Sequence, residues 1–236
     1  MGIHVDGANA APFFATPVSY AEAIRVQENL ARRVNPHGRL PRGRIQTIAG
    51  ADCSFGLREK YGVGGFTVHA YPSLELLDSA ACRCEVPFPY IPGLLSFREI
   101  PLLLRAWEQL KIIPDAIICD GQGIAHPRGI GLASHLGVLL DIPTVGAAKS
   151  RLVGDYEEPG GEKGEWTPLM YGGQRVGAVL RTRTDTQPLF VSPGHRIGIR
   201  DAVGLVLECC TRFRTTEVVR SAHRIVGEVR RKGLSE

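Results

Sequence analysis

Three carboxylates stand in surroundings that do not ordinarily hold them. Asp52 lies inside the strand-like run Thr47-Ile48-Ala49-Gly50-Ala51-Asp52-Cys53-Ser54-Phe55, where an unpaired charge is costly to bury. Asp120 follows Ile117-Ile118-Cys119 at the carboxyl end of another short apolar run, the edge at which α/β proteins gather their sites. Glu99 sits in Phe97-Arg98-Glu99-Ile100, on an apolar helix. Singly, each has an ordinary explanation: a half-exposed strand for Asp52, a turn cap for Asp120, a wet helix face for Glu99. Together, two central strands and one flanking helix can bring all three to one point. Oxygen-only ligands suit Mg2+, or Mn2+ in its place, and such a metal can activate water and stabilise the leaving oxygen in phosphodiester hydrolysis.

The run Asp120-Gly121-Gln122-Gly123-Ile124-Ala125-His126-Pro127-Arg128 invites a dinucleotide-binding reading. His126 stands where the third glycine belongs, however, and close helix–strand packing there wants a small residue. A P-loop and a Gly-x-Ser-x-Gly elbow are both absent from the sequence. His126 beside Arg128 suits contact with a phosphate better. Lys149 ends the next strand, so it can lie near Asp120, either as an exposed strand-end lysine or as a point charge on a phosphate. His223 has Val219 four residues before it and Val226 three after. It is an ordinary core histidine unless its helix covers the carboxylates. In Pro89-Tyr90-Ile91-Pro92 two prolines stiffen a loop tip. That tip is either a rigid turn or an apolar wedge that unstacks nucleic acid and leaves a displaced base to a pocket.

The elements that must position these residues follow from periodicity and breakers. Residues 1–17 read as a loosely ordered lead-in. Ser19–Val34 has a helical pattern that stops before Asn35-Pro36-His37-Gly38. Strands are expected at Ile45–Phe55, Gly64–Tyr71 and Leu74–Val86, with short connections that favour an antiparallel meander. Leu94–Leu110 reads as a helix that Pro101 should kink or restart. Strand Asp115–Cys119, helix Gly131–Leu140 and strand Pro143–Ala148 form a parallel βαβ unit. Gly154–Pro168 is expected as a surface loop. Strands at Arg175–Arg181 and Leu189–Val191 and helices at Arg200–Thr211 and Glu217–Arg231 close the chain. The fold class is α/β: a central mixed sheet, antiparallel meander plus parallel strands, flanked by helices. The order of elements is that of the ribonuclease H-like fold, an analogy that carries no function by itself.

Composition bounds the class. The chain has 236 residues, 44% hydrophobic and 22% charged, so it is a globular chain expected to form one domain over 1–236. No apolar run reaches the roughly 18 residues of a membrane span, and the start Met1-Gly2-Ile3-His4-Val5-Asp6 lacks the basic and apolar regions of a signal peptide. The six cysteines, Cys53, Cys82, Cys84, Cys119, Cys209 and Cys210, show neither zinc spacing nor a secreted disulfide framework. They are expected reduced, in the cytoplasm. The formal net charge is +4, yet Arg212–Lys232 alone carries seven basic residues against Glu217 and Glu228. That segment is a solvated helix face or a phosphate-binding surface.

At these residues the chain resembles the endonuclease V family, from about Ser19 to Gly233. The strongest stretches are Phe88-Pro89-Tyr90-Ile91-Pro92-Gly93-Leu94-Leu95-Ser96-Phe97-Arg98-Glu99 and Asp120 to Arg128, supported by Gly131–His135, Ile142–Gly146, Lys149–Leu152 and Val191–His195. The resemblance implies a ribonuclease H-like fold and a Mg2+-dependent nuclease of DNA repair; the chain is expected to act on nucleic acid as a monomer. It implies cleavage of the second phosphodiester 3′ to deoxyinosine in DNA, or to inosine in RNA, leaving 3′-hydroxyl and 5′-phosphate ends. It implies Asp52 and Asp120 as metal ligands, with Glu99 completing the cluster. His126 and Lys149 would serve the scissile phosphate or its water, and His223 would lie near the metal. Tyr90 takes the wedge position, at the tip it shares with Ile91 and Pro92, and Gly93, Leu95 and Gly121 would line the base pocket. Ala51, Cys53, Gly129 and Gly198 depart from the family's commoner residues, and none of them is a proposed ligand. Two rival classes remain: a non-catalytic nucleic-acid-binding module on this fold, and a nuclease that reads junctions or another lesion.

Overall fold

The computed structural model describes residues 19–56 and 60–233; the lead-in expected at 1–17 lies outside them. Strands β1 (Thr47–Phe55), β2 (Tyr61–Ala70) and β3 (Leu76–Glu85) form the expected antiparallel meander. Strands β4 (Ala116–Cys119) and β5 (Thr144–Ala148) continue the sheet parallel to β1. Strands β6 (Trp166–Tyr171), β7 (Gln174–Leu180) and β8 (Leu189–His195) complete it in the order β3-β2-β1-β4-β5-β8-β7-β6. This is the ribonuclease H-like arrangement the element order predicts. Among the described residues no helix is long and apolar enough to cross a membrane.

Helices α1 (Tyr20–Ala31), α2 (Ser96–Trp107), α3 (Leu132–Leu140), α4 (Ile199–Glu208) and α5 (Glu217–Lys232) surround the sheet. Alternation along the central strands divides them. Ala49, Ala51, Ile117 and Cys119 pack with Ile100 and Leu103 of α2 and with Leu136 of α3. Ile48 and Ile118 point the other way, onto Ala202 and Leu205 of α4 and Val218 and Val219 of α5. Side chains on one strand alternate between faces, so Asp52 falls on the α5 side and Cys53 on the α2 side.

Four expectations are corrected. Helix α2 runs unbroken through Pro101. The lost hydrogen bond is one rung, and the helix is held by its buried face of Phe97, Ile100, Leu102, Leu103 and Ala106. Strand β2 begins at Tyr61, three residues before the expected start at Gly64, because Gly62 and Gly64 both lie under α2: a Cβ on Gly64 would meet the Leu102 carbonyl carbon at 2.5 Å. An edge strand, β6, occupies the end of the expected loop. Only Leu169 of its residues is buried, and Pro168 suits an edge. Strand β8 continues through Pro193, beyond Val191: its pairing with β7 ends at Val191, while its pairing with β5 goes on, Val145 against Pro193.

Candidate active site

Strand register places the first two carboxylates. Ala51 of β1 pairs with Cys119 of β4 in parallel, and the Asp120 N–H donates to the Ala51 carbonyl at 3.2 Å. Asp52 and Asp120 are therefore the next residues along neighbouring strands, side by side at the carboxyl edge. Lys149 immediately follows β5, and its Nζ lies 2.5 Å from Asp120 Oδ2. Helix α5 closes over β1 at Gly50, where a Cβ would stand 2.1 Å from the Val218 carbonyl oxygen, and Thr67 Oγ1 donates to that same oxygen at 3.0 Å. One turn further on, His223 Nδ1 lies 2.8 Å from Asp52 Oδ2. The helix does cover the cluster, so His223 is not a core histidine.

Glu99 arrives from the opposite face, in the first turn of α2. Burial, and then the charges of Asp52 and Asp120, push its carboxyl up to about 8. Asp52 is raised as well, by burial first and by Asp120 second, against the lowering effect of the His223 hydrogen bond. Among the described residues the Glu99 carboxylate has no hydrogen-bond or ion-pair partner. Three acids thus repel one another while Lys149 and His223 balance two of them. Cys53 and Cys119, beside this cluster, are held as neutral thiols by burial, and all six cysteines are free.

A cation would relieve that repulsion. Among the described residues no three Asp, Glu, His or Cys side chains converge closely enough to hold a metal by themselves, so the expected trio is not a closed three-ligand cage. A pair of carboxylates with waters in the remaining positions is nonetheless a set that a hard divalent ion accepts. The donors present therefore fit such an ion.

Next to the acids lies a cavity of about 420 Å³ lined by Tyr90, Pro92, Gly93, Leu95, Glu99, Asp120, Gly121, His126 and Lys149, among others. Tyr90 is 62% exposed. Ile91 is not beside it in the cavity. It packs onto the buried cluster of Phe88, Leu94 and Phe97, so of the two side chains the loop presents Tyr90 alone. His126 is buried and both ring nitrogens are occupied: Nδ1 accepts the Arg128 N–H at 3.2 Å, which leaves the proton on Nε2 to donate to the Gly93 carbonyl at 3.1 Å. Burial first, and Arg128 second, lower its pKa to about 4.

Sequence reasoning missed two residues here. Gln27 of α1 is fully buried; its Nε2 donates to the Gly93 carbonyl at 3.0 Å and its Oε1 accepts from Arg128 Nε at 2.5 Å. A polar residue on the apolar stripe of Ala23 and Leu30 was the available signal. Arg98 is buried on α2, donates to the Phe88 carbonyl at 3.2 Å, and lies under the Phe55 and Tyr90 rings. Arg128, read as a phosphate contact, has its guanidinium on Gln27 and on the Gly93 carbonyl.

A ribonuclease H-like sheet with acids gathered at its carboxyl edge is the architecture of metal-dependent nucleases. Comparison with known proteins narrows the class. The profile of the endonuclease V family matches residues 28–224. Endonuclease V of Rippkaea orientalis is 46% identical over 214 residues, covering 90% of this chain and 92% of that one. The crystal structure of endonuclease V from Streptomyces avermitilis superposes with a TM-score of 0.89 at 37% identity, covering 93% of this chain and 96% of that one. Ciona intestinalis endonuclease V, solved with a 23mer DNA containing an inosine followed by a ribo-adenosine, gives 0.80 at 25% identity, covering 90% and 97%. The chain belongs to the endonuclease V family and is accordingly an endonuclease, a hydrolase of nucleic acid.

Proposed function

We propose that this protein is a Mg2+-dependent endonuclease that recognises inosine and hydrolyses the second phosphodiester on its 3′ side, leaving 3′-hydroxyl and 5′-phosphate ends. The observation that carries the reading is the junction of the base-sized cavity behind Tyr90 with the acidic edge: Glu99, Asp120 and Lys149 belong to both. The inosine-bearing DNA of the Ciona relative supports the choice of base.

Asp52 and Asp120 would hold the ion, with Glu99 completing the cluster through water or directly. When bound, the ion supplies Lewis acidity toward the scissile phosphate. Lys149 sets a positive charge against that phosphate from the β5 edge. His223, oriented by Asp52, stands on the opposite flank, where it can hold or pass a proton at Nε2. Tyr90 would take the place of the displaced base in the stack, while Gly93, Leu95 and Gly121 line the pocket that receives it. His126 acts here by fixing the Gly93 carbonyl. The protein would work as one domain and as a monomer, since a single chain supplies both the cavity and the acids, and its six free thiols suit the cytoplasm.

The test is cleavage of matched strands, deoxyinosine DNA and inosine RNA beside adenine controls, with Mg2+ present or chelated. Nicking confined to the inosine strands and dependent on Mg2+ is expected, and Asp52→Asn and Asp120→Asn should each abolish it while binding persists. Equal cutting of inosine and adenine strands would remove the lesion reading. Binding without any turnover would favour the non-catalytic module.

A further inference from the structure

We propose that a second groove, running from Asp120 and Lys149 along α5, is the track for the nucleic-acid strand on the 3′ side of the scissile bond. The inference rests on the reading of the base cavity and cleavage position given above. The groove has a volume of about 1040 Å³. It shares two lining residues with the base cavity, Asp120 and Lys149, so the two spaces lie on either side of the point where a scissile phosphate would sit. A strand with its base in one and its phosphate at Asp120–Lys149 must continue into the other. Because the cut falls 3′ to the base, the groove receives the 3′ arm, which ends in the 5′-phosphate after hydrolysis.

The chemistry of the wall supports this occupant. Arg220, Arg224, Gly227 and Arg231 recur at four-, three- and four-residue spacing on α5 and all line the groove, one stripe of the helix. His223, which reaches Asp52, is on the same stripe, so the face that delivers a histidine to the acids delivers the arginines beyond it. From Arg220 to Arg231 the helix axis spans about 16 Å, roughly five nucleotide steps at ~3.4 Å per step. Among the described residues the Arg220 and Arg224 guanidiniums form no hydrogen bond or ion pair. Arg220 stacks on the Phe213 ring, 3.4 Å from its centroid. Like charges one turn apart weaken a helix; phosphates between them would reverse that effect. Glu217, the carboxylate on this helix wall, accepts from Thr211 Oγ1 at 2.6 Å and from the Arg212 N–H. The facing wall carries Leu74 of the β2–β3 turn, Leu76 at the start of β3, Ser73, and His69, whose burial favours the neutral ring; it suits sugars and bases.

The experiment uses the full chain and inosine strands of equal length, with the lesion placed to leave about two or about eight nucleotides beyond the cut. Arg220→Gln/Arg224→Gln is compared with Arg105→Gln, a charge control on the other face of the sheet. The unaltered protein is expected to favour the long 3′ arm about tenfold in kcat/KM, and the double variant to bring that ratio to about one. In anisotropy titrations of an uncut strand, the slope of log Kd against log salt should fall by about 1.4 in the double variant, at ~0.7 per phosphate on single strands. Arg105→Gln should change neither. No arm preference in the unaltered protein, or an unchanged salt slope in the double variant, overturns the groove. Equal cutting of inosine and adenine strands together with the expected fall in slope faults the reading of the base and keeps the groove.

Discussion

His126 donates its Nε2 proton to the carbonyl of Gly93 across 3.1 Å, and this bond ties the Tyr90 loop to the strand end that carries Asp120. Gln27 and Arg128 donate to the same oxygen, so three donors fix one carbonyl at a residue whose φ is +78°. Removing Gln27 takes one donor from that carbonyl and leaves Arg128 Nε, which donates to Gln27 Oε1, without its acceptor, a loss worth about 1–3 kcal/mol. Gln27→Leu should therefore lower kcat/KM on inosine strands by about tenfold. Selectivity over adenine should fall with it, because the pocket wall moves while the acids stay. Steady-state kinetics on both strands checks this; a loss confined to thermal stability, with selectivity intact, would contradict it.

Lys149 and Asp120 form an ion pair on a half-exposed lysine. Exposed pairs contribute about 0–1 kcal/mol, so Lys149→Gln should shift the melting temperature by no more than about 4 °C. If the ammonium stabilises charge developing on the phosphate, its loss should cost about 100-fold in kcat. Parallel melting and single-turnover measurements separate the two effects.

The parts legible in the sequence were those governed by local pattern. The carboxylates revealed themselves as charges in apolar runs, and the parallel pairing of β4 with β5 followed from the βαβ alternation around Gly131–Leu140. What escaped depended on long-range contact. Gln27 meets Gly93 across a gap of 66 residues, and nothing near either residue announces the pairing. Arg128 read as a phosphate ligand because its real partner lies on α1. Gly62 read as lying outside the strand because the helix pressed against it, at Leu102, lies forty positions further along the chain. Ile91 read as part of a wedge because adjacency in sequence does not say which side chain turns inward.

The acids make stability depend on pH in a definite direction. The Glu99 carboxyl is pushed up to about 8, against roughly 4.3 in an unfolded chain. The metal-free fold therefore binds a proton that the unfolded chain releases, and stability falls as pH rises between those values. Asp52, also raised, adds to the fall. His126 and His135, both lowered to about 4, oppose it below about 6.5, where the unfolded histidines become charged. The unopposed window is about 6.5 to 8. Melting in chelator should drop across that window, Mg2+ should raise the melting temperature more at pH 8 than at pH 6.5, and Glu99→Gln should flatten the slope. A slope that Glu99→Gln leaves unchanged would place its origin elsewhere.

The seat of α5 on β1 sets both the core and the chemistry. At Gly50 the helix backbone comes so near that a Cβ would meet the Val218 carbonyl oxygen at 2.1 Å and its carbon at 2.2 Å. Neither atom can rotate away. The oxygen is also held by Thr67 Oγ1, and Val218 and Val219 are buried in the core on that face. In Gly50→Ala the helix must therefore retreat bodily. Overpacking of this kind costs about 1–3 kcal/mol or more, a fall of about 3–10 °C for a domain of this size. The retreat also carries His223 away from Asp52 and opens the arginine stripe away from the acids. Activity should then fall further than stability accounts for, by at least tenfold at a temperature where the variant is still folded. Gly43→Ala supplies the control, since a Cβ there meets nothing within 4 Å, and it should leave both melting and cleavage unchanged. If Gly50→Ala melts lower yet cuts at the full rate when folded, the position of α5 does not govern the His223–Asp52 contact in catalysis.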